Sequence, residues 1–346
     1  MKKFELGLTT FVEVLPDPLT GKTLSYDQRI RQIIEEIKLA DSVGLDFYGI
    51  GEHHRKEYAA SSPHMILAAG ASVTKSIKLG SAVTVLSSAD PVRVYQDFAT
   101  LNALSNGRAE IMAGRGSFIE SFPLFGYDLS DYNELYEEKL DLLVKIRENE
   151  IVSHEGTHRP SINKLGVYPR TNNLTISVAV GGTPASVIRA AKYGLPLSLA
   201  IIGGNPIAFK GLIELYKRKF VEYGHDQKNM FISVHSHGFI DDDFDQAFND
   251  YYPSVEQAMN VIGSERGWHK YTKRTYELAN EMTGALYVGD PAYVAKKIIH
   301  LKENLGIDRF MMHLPLGYLD ESKVLKAIKL LGTEVRQLVD EALTTK

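Results

Sequence analysis

Residues 175–202 read TISVAVGGTPASVIRAAKYGLPLSLAII, and this stretch contains one complete strand–helix–strand unit. A β-rich apolar run is followed by two glycines and then by Thr183-Pro184. A threonine before a proline is typical of a helix start, because the hydroxyl can cap free amides and proline fits the first helical position. Gly194 ends the helix, and the next β-rich run begins at Leu197. The stretch therefore predicts two parallel strands joined by a helix.

The same pattern recurs from one end of the chain to the other. Further helical patterns open with a capping residue and a proline, at Ser62-Pro63, Asp90-Pro91, Asn205-Pro206 and Asp290-Pro291. Eight β-rich runs alternate with helical patterns, at residues 4–10, 47–51, 78–86, 108–113, 175–180, 197–202, 230–239 and 309–314. Eight strands in regular alternation with helices predict a closed (β/α)₈ TIM barrel of the α/β class.

The whole chain is predicted to form one domain, residues 1–346. No linker rich in proline, glycine or serine divides it, which argues against two doubly wound domains. Three connections exceed the usual length of roughly two to six residues, at residues 114–130, 150–174 and 262–288. We predict these as long insertions at the loops after strands 4, 5 and 7, and we expect the last of them to be a lid.

The composition excludes several classes of protein. The 346 residues include 39 Lys and Arg against 43 Asp and Glu, a net charge of −4, which gives no positive field for nucleic acid or an anionic membrane. The chain contains no cysteine, which excludes disulfides, thiolate metal sites and cysteine nucleophiles. The apolar stretch near the N-terminus is interrupted, and no segment reaches the roughly 18 apolar residues of a membrane span. We expect a cytoplasmic protein without a nucleic-acid or membrane partner.

The end of the second predicted strand carries a dense group of titratable residues. The sequence Gly51-Glu52-His53-His54-Arg55 follows an apolar strand directly. In a (β/α)₈ barrel the active groups lie at the carboxyl ends of the strands. A single histidine there could cap a helix or face water, but the group as a whole favours an active site.

Two other strand ends predict a site for an anion. The fourth strand leads into Arg115, which stands between two glycines. The fifth leads into residues 181–186, where glycine amides, the hydroxyls of Thr183 and Ser186 and a helix N-terminus come together. A guanidinium and such a turn favour a ligand that bears a phosphate. The chain has no GxxxxGK[ST] pattern, so a P-loop for a nucleoside triphosphate is not supported.

The seventh strand carries His235-Ser236-His237, whose spacing of two places both imidazoles on one face. A metal site there would need a carboxylate from another strand end, and Glu52 is the obvious one. Histidines of the barrel core are the simpler interpretation, as they are for His313 near the end of the eighth strand. The prediction includes no metal site.

Five stretches, taken in order, resemble the bacterial-luciferase-like flavin-dependent monooxygenases. Each is modest alone, but the ordered set spans nearly the whole chain. They are residues 51–54, residues 81–93, residues 104–108 with 114–116, residues 181–186 with 190–196, and residues 288–291 with 306–308.

The resemblance implies a (β/α)₈ barrel that uses reduced FMN as a co-substrate. It implies that His53 is the catalytic histidine beside the flavin, acting as acid or base, and that a cis peptide bond joins Ala82 and Val83 beneath the ring system. The residues that match the family's phosphate-binding positions are Arg115, Gly182, Thr183 and Ser186. The implied reaction is the oxygenation of a small organic substrate by O₂, with a separate NAD(P)H:flavin reductase and a homodimeric assembly.

The sequence also departs from luciferase. Gly114 stands where the luciferase subunit carries a reactive cysteine, and Ala200 and Gly203 stand where it carries tryptophans. The turn at Gly182 is not acidic. The resemblance therefore supports flavin binding and oxygen chemistry, and does not extend to light emission with a long-chain aldehyde.

Three alternatives remain open at this point. A deazaflavin-dependent dehydrogenase would use a similar barrel and similar loops. A metal-dependent hydrolase would be built on His53, His235 and His237. A non-catalytic flavin-binding barrel would keep the cofactor site without turnover.

Overall fold

A computed structural model describes residues 3–116 and 118–344 of the chain. The strands in these residues are β1 (Glu5–Thr10), β2 (Phe47–Ile50), β3 (Lys78–Ser81), β4 (Thr84–Val85), β5 (Ala109–Gly114), β6 (Ile151–His154), β7 (Ile162–Gly166), β8 (Thr175–Val180), β9 (Leu197–Ala200), β10 (Ile232–Ile240), β11 (Tyr287–Gly289) and β12 (Arg309–His313). The α-helices are α1 (Tyr26–Ser42), α2 (Pro63–Val73), α3 (Pro91–Leu104), α4 (Ser121–Phe125), α5 (Tyr132–Glu148), α6 (Pro184–Lys192), α7 (Lys210–Glu222), α8 (Phe244–Arg266), α9 (Lys273–Asn280), α10 (Pro291–Leu305), α11 (Glu321–Leu330) and α12 (Arg336–Thr344), with a π-helical turn over Leu331–Val335 between the last two.

Parallel strands close into a barrel, as the sequence predicts. The order around the barrel is β10-β12-β1-β2-β3-β5-β8-β9, and pairing of β9 with β10 closes it. Neighbouring strands are parallel throughout, so their carboxyl ends meet at one mouth. The third predicted strand is interrupted after β3 and resumes as β4, which pairs with β5. The expected (β/α)₈ fold is confirmed.

Local sequence explains where the helices begin. Helix α1 begins with a capping box, in which Ser25 and Gln28 bond each other's backbone amides. The carboxylates of Asp90 and Asp290 cap α3 and α10, and each of these helices begins with the expected proline. Thr183 also precedes a helix, α6, but its side chain makes no capping bond. This hydroxyl is therefore not used to hold the helix.

The three insertions differ from the sequence-based expectation. Residues 150–174 form the antiparallel hairpin β6–β7 between α5 and β8, so this insertion precedes the fifth barrel strand, and the prediction that it follows that strand is wrong. The turn from β8 to α6 spans just residues 181–183. Residues 114–130 include the short helix α4.

The segment at residues 262–288 is mostly regular structure rather than a loop. Helix α8 continues to Arg266 and ends at Gly267, whose φ of +67° suits a glycine. Gly263 lies inside the helix with Trp268 packed beside it, 3.4 Å from where a Cβ would lie. Helix α9 and strand β11 follow.

Side chains fill the barrel bore in layers. At the base, Arg309 bonds Glu5 and Glu110, with its side chain 4.4 Å over the ring of Phe47. Above this layer, Phe47, Ala82, Met112 and Met311 form a small apolar cluster. A larger apolar core lies between the strands and the surrounding helices. The layers leave the mouth as the part of the bore that can receive a ligand.

None of the helices in the described residues is long and apolar enough to cross a membrane.

Candidate active site

His53 lies at the mouth of the barrel, directly after β2, and is buried among aromatic rings. The ring centroids of Phe11, Tyr58 and Phe118 lie 4.4, 4.5 and 5.2 Å from that of His53. The backbone amide of His53 donates a hydrogen bond to the carbonyl of Ala60 at 2.9 Å, which fixes the residue on its turn. The predicted catalytic residue is therefore held rigidly in an apolar setting.

This setting controls the charge of His53. Burial of the ring is the main cause that lowers the pKa of His53 to about 3, and the neighbouring His313, His54 and Arg55 lower it further. The imidazole is therefore neutral at pH 7. A neutral imidazole has one nitrogen that accepts a proton and one that donates a hydrogen bond.

The other two titratable residues of this strand end have structural partners. The Oε2 atom of Glu52 accepts the backbone amide of Val85 at 2.9 Å, and its Oε1 atom lies 2.8 Å from Nε2 of His54. These contacts tie the end of β2 to the neighbouring strand β4. Of Glu52, His53 and His54, it is His53 that packs against the rings of Phe11, Tyr58 and Phe118.

The structure brings the residues of the predicted anion site close together. The guanidinium of Arg115, at the end of β5, donates to the hydroxyl of Ser186 at 3.4 Å and to the side chain of Asn133 at 2.8 Å. Arg115 also lies 5.3 Å over the ring of Tyr132. Ser186 is buried in the first turn of α6. A cation and a helix N-terminus therefore face the same space.

The glycine turn leaves that space open. A Cβ built on Gly181 would meet no atom within 4 Å, and one on Gly182 would meet just the ring of Phe209 at 3.9 Å. Gly182 has a φ of +126°, which L side chains rarely adopt. Thr183 is exposed beside it. The two glycines, Thr183, Ser186 and Arg115 thus border one open surface, as expected from the sequence.

The peptide bond between Ala82 and Val83 is cis, in agreement with the resemblance. The carbonyl of Val83 accepts the backbone amide of Glu52 at 3.0 Å. A side chain at Gly114 would come within 2.6 Å of Val83. The glycine at the position of the luciferase cysteine is therefore required by the packing of Val83.

A second cluster of histidines lies in the bore next to the site. Register pairs His237 with His313 across β10 and β12, and one ligand nitrogen from each of His235, His237 and His313 lies within 4.8 Å of the others. The carboxylate that reaches this cluster is Glu13, 2.8 Å from Nε2 of His313. Glu52 does not take that place, so the sequence-based choice of carboxylate is wrong.

Sequence reasoning missed several residues of the mouth. Phe11 packs between His53 and His313, with centroid distances of 4.4 and 4.3 Å. Phe11 and Glu13 follow the first strand directly, and this position at a carboxyl end was the signal that could have identified them. Phe118 was missed because nothing local marks it as a contact of His53.

A network of charges covers the mouth. Arg55 donates to Glu265 at 2.5 and 2.7 Å and to Glu120 at 2.7 Å, and its guanidinium lies 4.7 Å over Phe118. The guanidinium of Arg266 also lies over that ring, 5.1 Å from its centroid. Glu265 and Arg266, at the end of α8, therefore reach the mouth.

The cavity beneath this cover is small. The enclosed space is about 10 Å³, room for little more than one water molecule, and it is lined by Glu52, His53, His54, Val85, Gly116, Phe118, Glu120 and Ser121. Pockets for drug-sized ligands are usually about 300–1,000 Å³. The segment that carries Phe118 must therefore shift outward before a large ligand can reach His53.

Comparison with known proteins gives the family of this barrel. The family model described as luciferase-like monooxygenase matches residues 4–309. The alkanal monooxygenase alpha chain of the Kryptophanaron alfredi symbiont is 29% identical over 223 residues, which cover 61% of this chain and 60% of that protein. The chain thus matches about three fifths of the length of this curated relative.

Solved structures share the fold across nearly all of the chain. The monooxygenase RslO1 from Streptomyces bottropensis has a TM-score of 0.84 at 20% identity, covering 96% of this chain and 99% of that one. The oxygenating constituent of 3,6-diketocamphane monooxygenase from Pseudomonas putida, in complex with FMN, has a TM-score of 0.76 at 21% identity, covering 97% and 98%. A coenzyme F420-dependent tetrahydromethanopterin reductase from Methanopyrus kandleri has a TM-score of 0.72 at 20% identity, covering 97% and 99%.

The match of the family model over most of the barrel, together with a shared fold in these structures, assigns the chain to the luciferase-like monooxygenase family.

Proposed function

We propose that this protein is an FMN-dependent monooxygenase that uses reduced FMN and O₂ to oxygenate a small organic substrate. The observation that carries the proposal is the convergence of Arg115 and Ser186 at the N-terminus of α6, beside the mouth that holds His53. A phosphate carries the negative charge that such a site favours. A flavin phosphate held there would leave the ring system free to lie toward the cis peptide and His53.

The residues of the anion site fit a phosphate by their chemistry. Gly182 leaves room for close approach to the backbone, and Thr183 has a hydroxyl that no capping bond uses. We assign Arg115, Gly182, Thr183 and Ser186 to the FMN phosphate, and Ala82 and Val83 to the ring. When bound, reduced FMN supplies the two electrons with which one oxygen atom enters the substrate and the other becomes water.

The role of His53 follows from its neutral charge. At pH 7 the neutral imidazole of His53 holds the substrate proton by a hydrogen bond at its unprotonated nitrogen, and it takes up that proton when negative charge or a base develops beside it in the reaction. The rings of Phe11, Tyr58 and Phe118 surround it and exclude water from the reaction. We also propose that residues 262–288 act as the lid that completes this enclosure.

The proposal includes partners that the family resemblance suggests. A separate NAD(P)H:flavin reductase would supply the reduced FMN, and the working assembly would be a cytoplasmic homodimer. Light scattering during gel filtration measures the mass of the assembly directly. A mass of one chain at micromolar concentration would contradict the dimer.

The second candidate is a dehydrogenase that uses a deazaflavin. The structural similarity to an F420-dependent reductase supports it, because that protein shares the barrel and its coverage is nearly complete. The two candidates differ in their use of oxygen. A dehydrogenase transfers a hydride to or from the deazaflavin without O₂, whereas the monooxygenase consumes one O₂ for each product.

Binding of the cofactor is the first test. Purified protein is titrated anaerobically with reduced FMN and, separately, with reduced F420, and Kd is measured for each. We expect Arg115→Ala to weaken FMN binding by about 1.5–3 kcal/mol, or roughly 10- to 150-fold, because a charge-assisted contact is lost. Arg218→Ala on the exposed part of α7 is the matched control and should leave Kd unchanged. Selective binding of F420, or an Arg115→Ala variant with unchanged Kd for FMN, would contradict the assignment.

Turnover is tested separately. We expect His53→Ala to bind FMN with the parent Kd while kcat falls about 10²- to 10⁴-fold, the range for loss of a general acid or base. The assay uses an FMN reductase, NADH and a substrate panel, with O₂ consumption corrected for peroxide release. Turnover at the parent rate would remove His53 from the reaction, and binding without any product would favour a non-catalytic flavin-binding barrel.

A further inference from the structure

The histidine cluster in the bore lacks the partners that a structural cluster would have. Among the described residues, Nε2 of His235 and Nδ1 of His237 have no hydrogen-bond partner although both atoms are buried. Leaving a polar atom buried without a partner costs roughly 1–3 kcal/mol. Two such nitrogens in one cluster are therefore available to bind a ligand.

The third histidine is oriented by a carboxylate. Glu13 is almost fully buried, and its Oε1 atom lies 2.8 Å from Nε2 of His313. In the tautomer in which Nε2 donates to the carboxylate, the lone pair lies on Nδ1, 3.3 Å from the hydroxyl of Thr9. A carboxylate that holds one imidazole nitrogen and frees the other is the usual partner of a metal-binding histidine.

Charge points in the same direction. In the described part of the chain, no lysine or arginine lies within ion-pair distance of Glu13, whose bonds go to His313 and to the hydroxyl of Thr10. A cation held by the three imidazoles would stand one residue away from the negative charge of this carboxylate, which would favour it.

We propose that His235, His237 and His313 bind one divalent transition-metal ion of the zinc class, with Glu13 as the residue that orients His313. Three imidazoles suit zinc, cobalt or copper, and the absence of other carboxylates in the cluster disfavours magnesium and calcium. Tetrahedral zinc with Zn–N bonds of about 2.0–2.1 Å places its nitrogens ~3.4 Å apart. The three nitrogens now lie up to 4.8 Å apart, so the rings would move together by about an ångström when the ion binds.

The site would keep one coordination position open. His235 is partly exposed, whereas His237 and His313 are buried, so the ion would be approached from the side of His235. Phe11 lies between the cluster and His53, with its ring 6.4 Å from His235 and 4.4 Å from His53. A water or a substrate oxygen could fill the fourth position at the edge of the same mouth. This inference goes beyond the flavin chemistry and does not depend on it.

The test uses the full chain without a histidine tag and without flavin. After dialysis against EDTA, the protein is titrated with Co²⁺ and Zn²⁺, and stoichiometry and Kd are measured by calorimetry. We expect one ion per chain and the visible absorption of four- or five-coordinate Co²⁺. His235→Ala and His237→Ala should each weaken binding more than 100-fold, and Glu13→Gln by about 10- to 100-fold, the usual effect of losing an orienting residue.

Controls separate a lost site from a lost fold. His225→Ala removes a histidine that contacts the carbonyl of Lys192 far along the chain, and it should leave metal binding unchanged. Circular dichroism and thermal melting of each variant confirm folding, and His235→Ala is the decisive variant because His235 is partly exposed. Failure to bind either ion, or equal binding by the parent and His235→Ala, would overturn the proposal. FMN titration of the same samples reports on the flavin site independently.

Discussion

The two ends of the barrel bore both carry buried charged or titratable side chains. Those at the base are paired with opposite charges, whereas several at the mouth are neutral or, in the described part of the chain, have no hydrogen-bond partner. At the base, Arg309 meets Glu5 at 2.6 Å and Glu110 at 2.7 Å, and Lys78 bonds Glu5 at 2.6 Å. At the mouth, His53 is neutral and His235 and His237 have nitrogens without partners among the described residues.

This difference distinguishes polar groups that stabilise the fold from polar groups that are available to bind a ligand. A fully paired network needs nothing further and resists change, whereas buried polar atoms without partners are costly and persist where function requires them. The strand register makes this possible, because Arg309 and His313 lie on the same face of β12, four residues apart. Strand β12 therefore contributes a charged residue to the base of the bore and a histidine to its mouth.

The largest expected effect comes from breaking the base. Arg309→Met leaves Lys78 as the remaining cation beside Glu5 and Glu110, and we expect the free energy of unfolding to fall by about 3 kcal/mol, the lower end of the range for a broken buried pair. Urea denaturation measures it. Arg31→Met, which removes an exposed arginine paired with Asp27, is the control and should change stability by less than about 0.5 kcal/mol.

A double variant makes the comparison sharper. Adding Glu110→Gln to Arg309→Met removes one of the two carboxylates that lose Arg309, so part of the lost stability should return. If Arg309→Met alone costs less than about 1 kcal/mol, the base is not the rigid end of the barrel. The contrast between the two ends would then fail.

The sequence predicts the barrel well because its signals are local. Capping residues, prolines and glycines mark each strand–helix unit, and Asp90 and Asp290 act in the structure as they do in the pattern. The end of α8 was missed because a glycine such as Gly263 is usually a helix stop, whereas here the helix continues to Arg266 and ends at Gly267. The hairpin β6–β7 was missed because it packs outside the barrel repeat.

The candidate site divides in the same way. Arg115 and Ser186 were found because each stands at the end of a strand or the start of a helix. The hydrogen bond between Glu13 and His313 joins residues 300 positions apart, and no local sequence pattern predicts such a pair. Long-range contacts of this kind depend on strand register, which the sequence does not state.

The second prediction uses pH to examine the neutral histidine at the mouth. The pKa of His53 is about 3 in the folded protein and about 6.5 when unfolded, so the unfolded chain binds more protons between these values. Stability from this group is complete above pH 6.5 and is lost as the pH falls toward 3. At pH 5 the loss is about 2 kcal/mol.

His53→Asn tests this sign directly. The variant has no imidazole to protonate, so its unfolding free energy should fall between pH 7 and pH 5 by about 2 kcal/mol less than that of the parent. Urea denaturation of the parent and of the variant at pH 7 and at pH 5 gives the four unfolding free energies that are compared. His225→Asn, at a partly exposed histidine away from the mouth, should follow the parent. A His53→Asn variant with the same acid sensitivity as the parent would show that the mouth histidine is charged in the folded state.

The smallest expected effect concerns the cover of the mouth. Glu265 is about half exposed, and Arg55 keeps Glu57 and Glu120 as partners when Glu265 is lost. Glu265→Gln should therefore weaken the ion-pair network over the mouth by about 0.2–1 kcal/mol, the range for an exposed ion pair. This loss should speed FMN dissociation by about 1.4- to 5-fold. Stopped-flow release of FMN at low salt measures the rate, and the difference should shrink at high salt because exposed charges are screened. Glu222→Gln, in an exposed pair on α7, controls for the lost charge. An unchanged rate with Glu265→Gln would mean that the ion pairs around Arg55 fasten surface segments together without gating the mouth.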